Sequence, residues 1–116
     1  MPKPGAIAAV KGFHDVLPEE SRRWRALEEA AVAIFSAYGF GEIRLPLLER
    51  SDLFARSLGE TTDIVEKEMY SFADRDETLV TLRPEATAGA VRAFVENGLA
   101  YQDPCTRLFY RGPMFR

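Results

Sequence analysis

Two short stretches of the sequence carry side chains whose types and spacing could do chemistry. The first is LRPEATA, Leu82 to Ala88. Glu85 supplies a carboxylate and Thr87 a hydroxyl two residues later, just after Pro84. One reading makes this a helix start: Pro in the first turn, Glu85 complementing the positive end of the dipole, Thr87 bonding a free backbone N–H. The other makes it a clamp for a ligand's ammonium group, whose three donors need carboxylate and hydroxyl acceptors. Spacing alone does not choose. The second stretch is FYRGPMFR, Phe109 to Arg116. Arg107 and Arg111 read as solvent-facing strand residues. Arg116 is either one more surface charge or a guanidinium on the sheet's inner face, forked toward a phosphate or carboxylate. Both options stay open on physical grounds.

Other candidate chemistry is thinner. His14 stands beside Asp15, but no Ser or Cys nucleophile is placed near the pair by the sequence. One His and one Cys fall short of the about four ligands that a zinc site needs, so metal ligation by side chains is not expected. Neither a GxxxxGKS/T loop nor a GxGxxG loop occurs, which excludes a P-loop or dinucleotide site in this stretch of chain.

The elements that must position these residues follow from periodicity. Ala6 to Lys11 suits a short strand, and GFHDVLP is loop chemistry leading into a helix. That helix runs from about Pro18 to Tyr38, with Glu19 and Glu20 at its positive end and Gly39 as its stop. Trp24, Leu27, Ala31, Ile34, Phe35 and Tyr38 recur at helical spacing and form an apolar stripe, opposite Arg22, Arg23, Arg25, Glu28 and Glu29. In GEIRLPLLER the period drops to two, as in a half-buried strand, with Ile43, Leu45 and Leu47 on one face. Pro46 cannot donate to a ladder, so it marks an edge, a bulge or a break. Ser51 starts a short helix through Leu58, ended by Gly59. ETTDIVEKE has no clean period and reads as loop. MYSF and TLVTL flank the polar DRDE as an antiparallel hairpin. Pro84 opens a second helix with Ala88, Val91 and Val95 on one face and Gly98 near its end; DPCT is a turn and RLFYRG a last strand. Hairpin connections and helices outside a strict βαβ order predict an α+β fold, an antiparallel sheet with flanking helices, built as one unit over residues 1–116.

Bulk properties narrow the function. The chain has 116 residues, 47% of them apolar, within reach of a single cored domain. Its net charge of −3 argues against a general nucleic-acid clamp. Cys105 is the one cysteine, so an internal disulfide is impossible and a reducing compartment is expected. No apolar run approaches the roughly 18 residues of a membrane span, and MPKPGAIAAVKG makes a poor signal peptide. A soluble, cytoplasmic protein without a membrane partner is the expectation.

Taken together, KGFHDVLPEE, YGFGEIRLPLLE, GETTDIVEKEMYSF, LRPEATAG and YRGPMFR resemble the successive N-terminal signatures of bacterial histidyl-tRNA synthetase, a class II aminoacyl-tRNA synthetase. The resemblance runs from about Lys11 to Arg116. Motif 1 of the class would occupy about residues 18–50, and motif 2 would begin at about residue 107. In that family the arginine matching Arg116 contacts the amino acid's carboxylate and the ATP α-phosphate. The resemblance therefore implies that Arg116 is catalytic, binding both histidine and ATP, and that the rest of motif 2 would follow it. Glu85 and Thr87 match residues that hold the histidine α-ammonium, with Ala86 lining the same turn through its backbone. Pro46 matches the motif 1 proline at the homodimer interface. No chemical role attaches to the loop region 59–72.

The activity so implied is two-step acyl transfer: histidine's carboxylate attacks the ATP α-phosphate, and the histidyl group then passes from the adenylate to tRNA(His). ATP is a substrate, with Mg²⁺ bound alongside it. No general base is visible, and a carboxylate nucleophile does not need one. The fragment alone is expected to be inactive. Rival readings are the regulatory subunit of ATP phosphoribosyltransferase, which shares the fold without aminoacylating tRNA, another class II synthetase such as the threonyl or prolyl enzyme, and a stand-alone binding domain.

Overall fold

A computed structural model describes residues 4–58 and 68–116. The chain divides into two compact units, Met1–Tyr38 and Gly39–Arg116.

The first unit is built on α1, Pro18–Ala37. Pro18 enters without needing an N–H partner, Glu19 and Glu20 occupy the first turn, and the chain leaves through Gly39 at φ +82°. Leu17, at the N-cap, offers no side-chain acceptor. The helix therefore starts on proline and charge. The apolar stripe is present but uncovered: no residue of α1 is buried, and Trp24, Leu27 and Ile34 stay about half exposed or more. Upstream, the strand expected over Ala6–Lys11 does not form. Those residues are irregular and exposed, between turns at Gly5 and Gly12 whose positive φ values break an extended run. With no neighbouring ladder to join, β-branched residues such as Ile7 and Val10 gain nothing from extension.

The second unit carries two sheets. In the larger one, β2 (Leu48–Arg50), β3 (Tyr70–Ala73) and β4 (Leu79–Leu82) lie in the order β2-β4-β3, all antiparallel. In the smaller one, β1 (Gly41–Glu42) pairs in parallel with β5 (Leu108–Phe109). The MYSF/TLVTL hairpin is thus confirmed, and its Asp74–Thr78 turn is closed by Glu77 at φ +68°, a conformation usually left to glycine. The single strand expected over Ile43–Leu47 is instead a break between β1 and β2. Pro46 has no N–H to offer, and the chain passes there from one sheet to the other. Ile43 and Leu45 keep the alternation, half-buried, and Ile43 makes the last bond to β5, its N–H donating to Phe109 O at 3.0 Å.

α2 (Ser51–Leu58) packs on β2 and β4 and against α3 (Thr87–Glu96). Gly59 and the ETTDIVEK stretch lie outside the described residues. The core is small: Phe54, fully buried, with Ala86, Ala88, Ala93 and Phe109. Within α3 the buried face is Ala88, Gly89 and Ala93, whereas Val91 and Val95, expected beside Ala88, are exposed. Small residues win that face because Glu49 approaches it closely; a Cβ at Gly89 would sit 3.2 Å from Glu49 Oε1. Register places Thr81 opposite both Glu49 and Ser71. The helix-facing side of this sheet is therefore polar, and Thr81 is completely buried within it. Its hydroxyl is satisfied by Ser51 Oγ at 2.6 Å and Ser71 Oγ at 2.8 Å, as a buried hydroxyl must be. Ser51, at the head of α2, spends its hydroxyl there.

Candidate active site: the LRPEAT turn against the C-terminal segment

The LRPEAT turn follows β4 directly, so the sheet fixes where α3 begins. Pro84 precedes the helix by three residues, and Ala86 serves as the N-cap. Ala86 has no side-chain acceptor; Glu85, one residue earlier, does the capping. Its Oε2 accepts the Thr87 N–H at 2.6 Å, and the Ala88 N–H reaches Oε1 at 3.1 Å and Oε2 at 3.3 Å. A carboxylate here meets both the orphan donors and the positive end of the helix dipole. The helix-start reading of Glu85 therefore holds. Thr87 departs from expectation: its hydroxyl bonds Tyr110 Oη at 3.0 Å rather than a backbone N–H, because Glu85 already takes the nearest donors. A carboxylate has about four lone-pair sites, so three accepted bonds leave Glu85 with capacity for a ligand donor.

The second segment lies against the first. Beyond Phe109 the chain leaves the parallel pair, since Gly112 turns at φ +147° and Pro113 has no N–H. The strand read through RLFYRG thus stops after two residues, and Arg116 lies outside a sheet, exposed. Arg111 is more than a solvent-facing charge: its Nε donates to Glu42 Oε2 at 3.1 Å, while Arg44 Nε takes Glu42 Oε1 at 3.2 Å. One β1 carboxylate thereby steadies the segment that leaves β5.

Arg83, overlooked by the sequence reading, joins these parts. It is 4% exposed. Its Nε donates to Pro113 O at 3.0 Å and its Nη1 to Leu45 O at 3.3 Å. Its backbone N–H donates to Leu47 O, and its carbonyl accepts the Phe115 N–H, both at 2.9 Å. Arg83 therefore holds both neighbours of Pro46 and both ends of PMF. A Cβ on Gly112 would collide with its Nη2. The signal was in the sequence: glycine beside proline in a strand-like run often marks something packed close against the backbone. Which side chain arrives there was not legible.

Behind the turn, α3 is tied to β2 by Arg92, whose Nε lies 2.8 Å from Glu49 Oε2 and whose Nη2 donates to Glu49 Oε1 at 2.9 Å. The hydrogen bonds that Arg92 donates to Glu49 raise the Arg92 pKa above its ordinary value. Among the described residues no group of three or more His, Cys, Asp or Glu could hold a metal ion.

Residues 12–116 match the family model for histidyl-tRNA synthetase. The chain belongs to the histidyl-tRNA synthetase family. The histidine–tRNA ligase of Pelobacter propionicus is 58% identical over 111 residues, covering 96% of this chain and 27% of that protein. Apo histidyl-tRNA synthetase of S. aureus superposes with a TM-score of 0.80 at 38% identity, over 96% of this chain and 30% of that one. A Bacillus halodurans structure described as an ATP phosphoribosyltransferase regulatory subunit/histidyl-tRNA synthetase gives 0.76 at 23% identity, covering 100% of this chain and 29% of its own, a likeness of fold alone. The chain thus spans about a quarter of the length of the curated relatives it matches, 27% for the Pelobacter and Geobacter sulfurreducens ligases. In this synthetase family setting the α+β class stands, with an antiparallel three-stranded sheet flanked by helices and one short parallel pair beside it. No helix among the described residues is long and apolar enough to cross a membrane.

Proposed function

We propose that these 116 residues are the N-terminal part of the catalytic domain of a histidine–tRNA ligase, which activates histidine with ATP and transfers it to tRNA(His). One observation carries the site: the LRPEAT turn and the YRGPMFR segment are bonded to each other through Thr87–Tyr110, Arg83–Pro113 and Phe115–Arg83. An ammonium clamp and an anion-binding guanidinium thus belong to adjacent stretches of backbone, as an α-amino acid with its two charges requires.

In this reading Glu85 and Thr87, with the Ala86 backbone, receive the histidine α-ammonium. Glu85 does so while still capping α3, so its orientation is fixed before the ligand arrives. Arg116 contacts the histidine carboxylate and the ATP α-phosphate, and stabilises charge at the α-phosphate as the carboxylate oxygen bonds to it and pyrophosphate leaves, giving histidyl-adenylate. The rate enhancement comes from position and electrostatics, because the nucleophile is already ionised. Mg²⁺ would arrive with ATP, as part of that substrate. Pro46 and α1, with its exposed apolar stripe, contribute to a homodimer interface, and the enzyme works in the cytoplasm. The 116 residues alone do not activate histidine.

The deciding experiment is ATP–pyrophosphate exchange by the full-length protein with histidine, threonine and proline supplied separately. Exchange with histidine alone is expected. No exchange with any of them, in a folded protein, would refute the ligase reading in favour of a non-aminoacylating regulatory paralogue.

A further inference from the structure

We infer that Arg83 is a positioning residue that sets the spacing between the ammonium clamp and Arg116. This rests on the proposed function of the same site. Connectivity is the basis. Arg83 lies two residues from Glu85 in the chain, and its carbonyl holds the N–H of Phe115, the residue next to Arg116. From Glu85 to Arg116 the path therefore crosses one hydrogen bond and few covalent links. That bond does not stand alone: the buried guanidinium reaches past Gly112 to Pro113 O, which stops the segment from pivoting about Phe115. The same head group holds Leu45 O on the other side.

A planar fork with several fixed donors can hold two carbonyls of different chain segments at once; a lysine ammonium is a compact point charge on a flexible stem. The buried side of the site thus determines how far apart the two charge-binding groups stand. A ligand that must touch both is sensitive to that distance, and a displacement of about 1 Å at a reacting centre costs about a hundredfold in rate.

The test is Arg83→Lys in the full-length protein, alone and combined with Arg116→Ala. In histidine-dependent exchange, Arg83→Lys should lower kcat by about a hundredfold. Histidine Kd, read by equilibrium dialysis, should rise by about tenfold at most, less than kcat falls, because the clamp on α3 is intact and only the contact of the carboxylate with Arg116 shifts. In the Arg116→Ala background the same change should cost less than about twofold, since Arg83 acts through Arg116. An unchanged kcat, or an equal fold-loss in both backgrounds, would overturn the inference. Gly112→Ala supplies a second perturbation from the opposite side, pressing on Nη2, and should give the same kcat-selective loss. Hydrogen exchange provides a readout that needs no activity: Arg83→Lys should deprotect peptides covering residues 112–116 and leave those covering 87–90 unchanged. Equal protection in both regions would overturn it as well. Absence of histidine-dependent exchange in the unsubstituted protein would refute the proposed function instead, and hydrogen exchange would still decide the role of Arg83.

Discussion

Glu85→Gln separates the two roles of the Glu85 carboxylate, helix cap and ligand clamp. As a cap, Glu85 holds two backbone N–H groups through contacts of 2.6, 3.1 and 3.3 Å. Glutamine keeps one oxygen, which can retain the short Thr87 bond, but turns an NH₂ toward the Ala88 N–H and removes the charge from the helix start. The expected structural loss is about 1 kcal/mol, from part of a cap and one dipole interaction. In an enzyme about four times the length of this chain that lowers Tm by about 1 °C. As a clamp, the carboxylate makes a charge-assisted bond to the ligand ammonium, and its neutralisation should cost about 2–3 kcal/mol of binding. That corresponds to a histidine KM higher by about thirty- to a hundred-and-fiftyfold. Pyrophosphate exchange at saturating ATP over a wide range of histidine concentrations reads the second quantity, and a thermal melt of the same preparation reads the first. A lowered Tm with an unchanged histidine KM would leave Glu85 as a helix cap and nothing more.

Other perturbations test the scaffold. Glu49→Gln should cost about 2 kcal/mol, seen as a lower urea midpoint; the loss stays below the about 3–5 for a fully buried pair because the Arg92 side chain is 29% exposed. Phe54→Ala removes the one large apolar side chain that is fully buried among the described residues and should cost about 3–5 kcal/mol by the same assay. Asp76 accepts the Thr78 N–H in the hairpin turn, which lowers its pKa below 3.8. Its contribution is therefore present above 3.8 and is lost as pH falls through the lowered value; amide exchange across the turn should accelerate in that acid range, and Asp76→Asn should abolish the dependence. Glu77→Gly should raise stability by up to about 1 kcal/mol, because Glu77 holds φ +68° at a steric cost that glycine does not incur.

The sequence revealed elements wherever a local rule was sufficient. The MYSF/TLVTL hairpin, α1 and α2 each announce themselves by period and by flanking turn or start residues, and the structure places all three within a residue of expectation. Elements failed where they depended on a partner. Ala6–Lys11 has strand composition but no strand beside it, and Ile43–Leu47 alternates correctly yet spans a change of sheet. Period reports which face of a chain is apolar; it does not report whether another chain lies within hydrogen-bonding distance. Val91 and Val95 failed for a related reason. Apolar spacing on α3 pointed to them, but Glu49 claimed the small-residue face with a part-buried ion pair, and burial there followed close approach rather than hydropathy.

The site shows the same division at finer scale. Glu85 bonds residues two and three positions ahead of it, so its capping role lay within reach of a local reading. The Arg83 contacts span 30 and 38 residues, and no spacing rule extends so far. Yet the sequence constrains those contacts from the receiving end. Gly112 is required twice over, by its own φ of +147° and by the guanidinium that fills the space of a Cβ, and Pro113 leaves its carbonyl without a competing N–H on the same residue. A GP pair directly before an apolar-to-arginine run thus has a physical explanation that is independent of catalysis: the backbone is shaped to receive a large cation from below. If the spacing between the clamp and Arg116 is what the chemistry needs, then the residues that set it belong with Arg83 and Gly112 rather than with the two charged groups that touch the ligand, and substitutions at those buried positions should alter rate before they alter affinity.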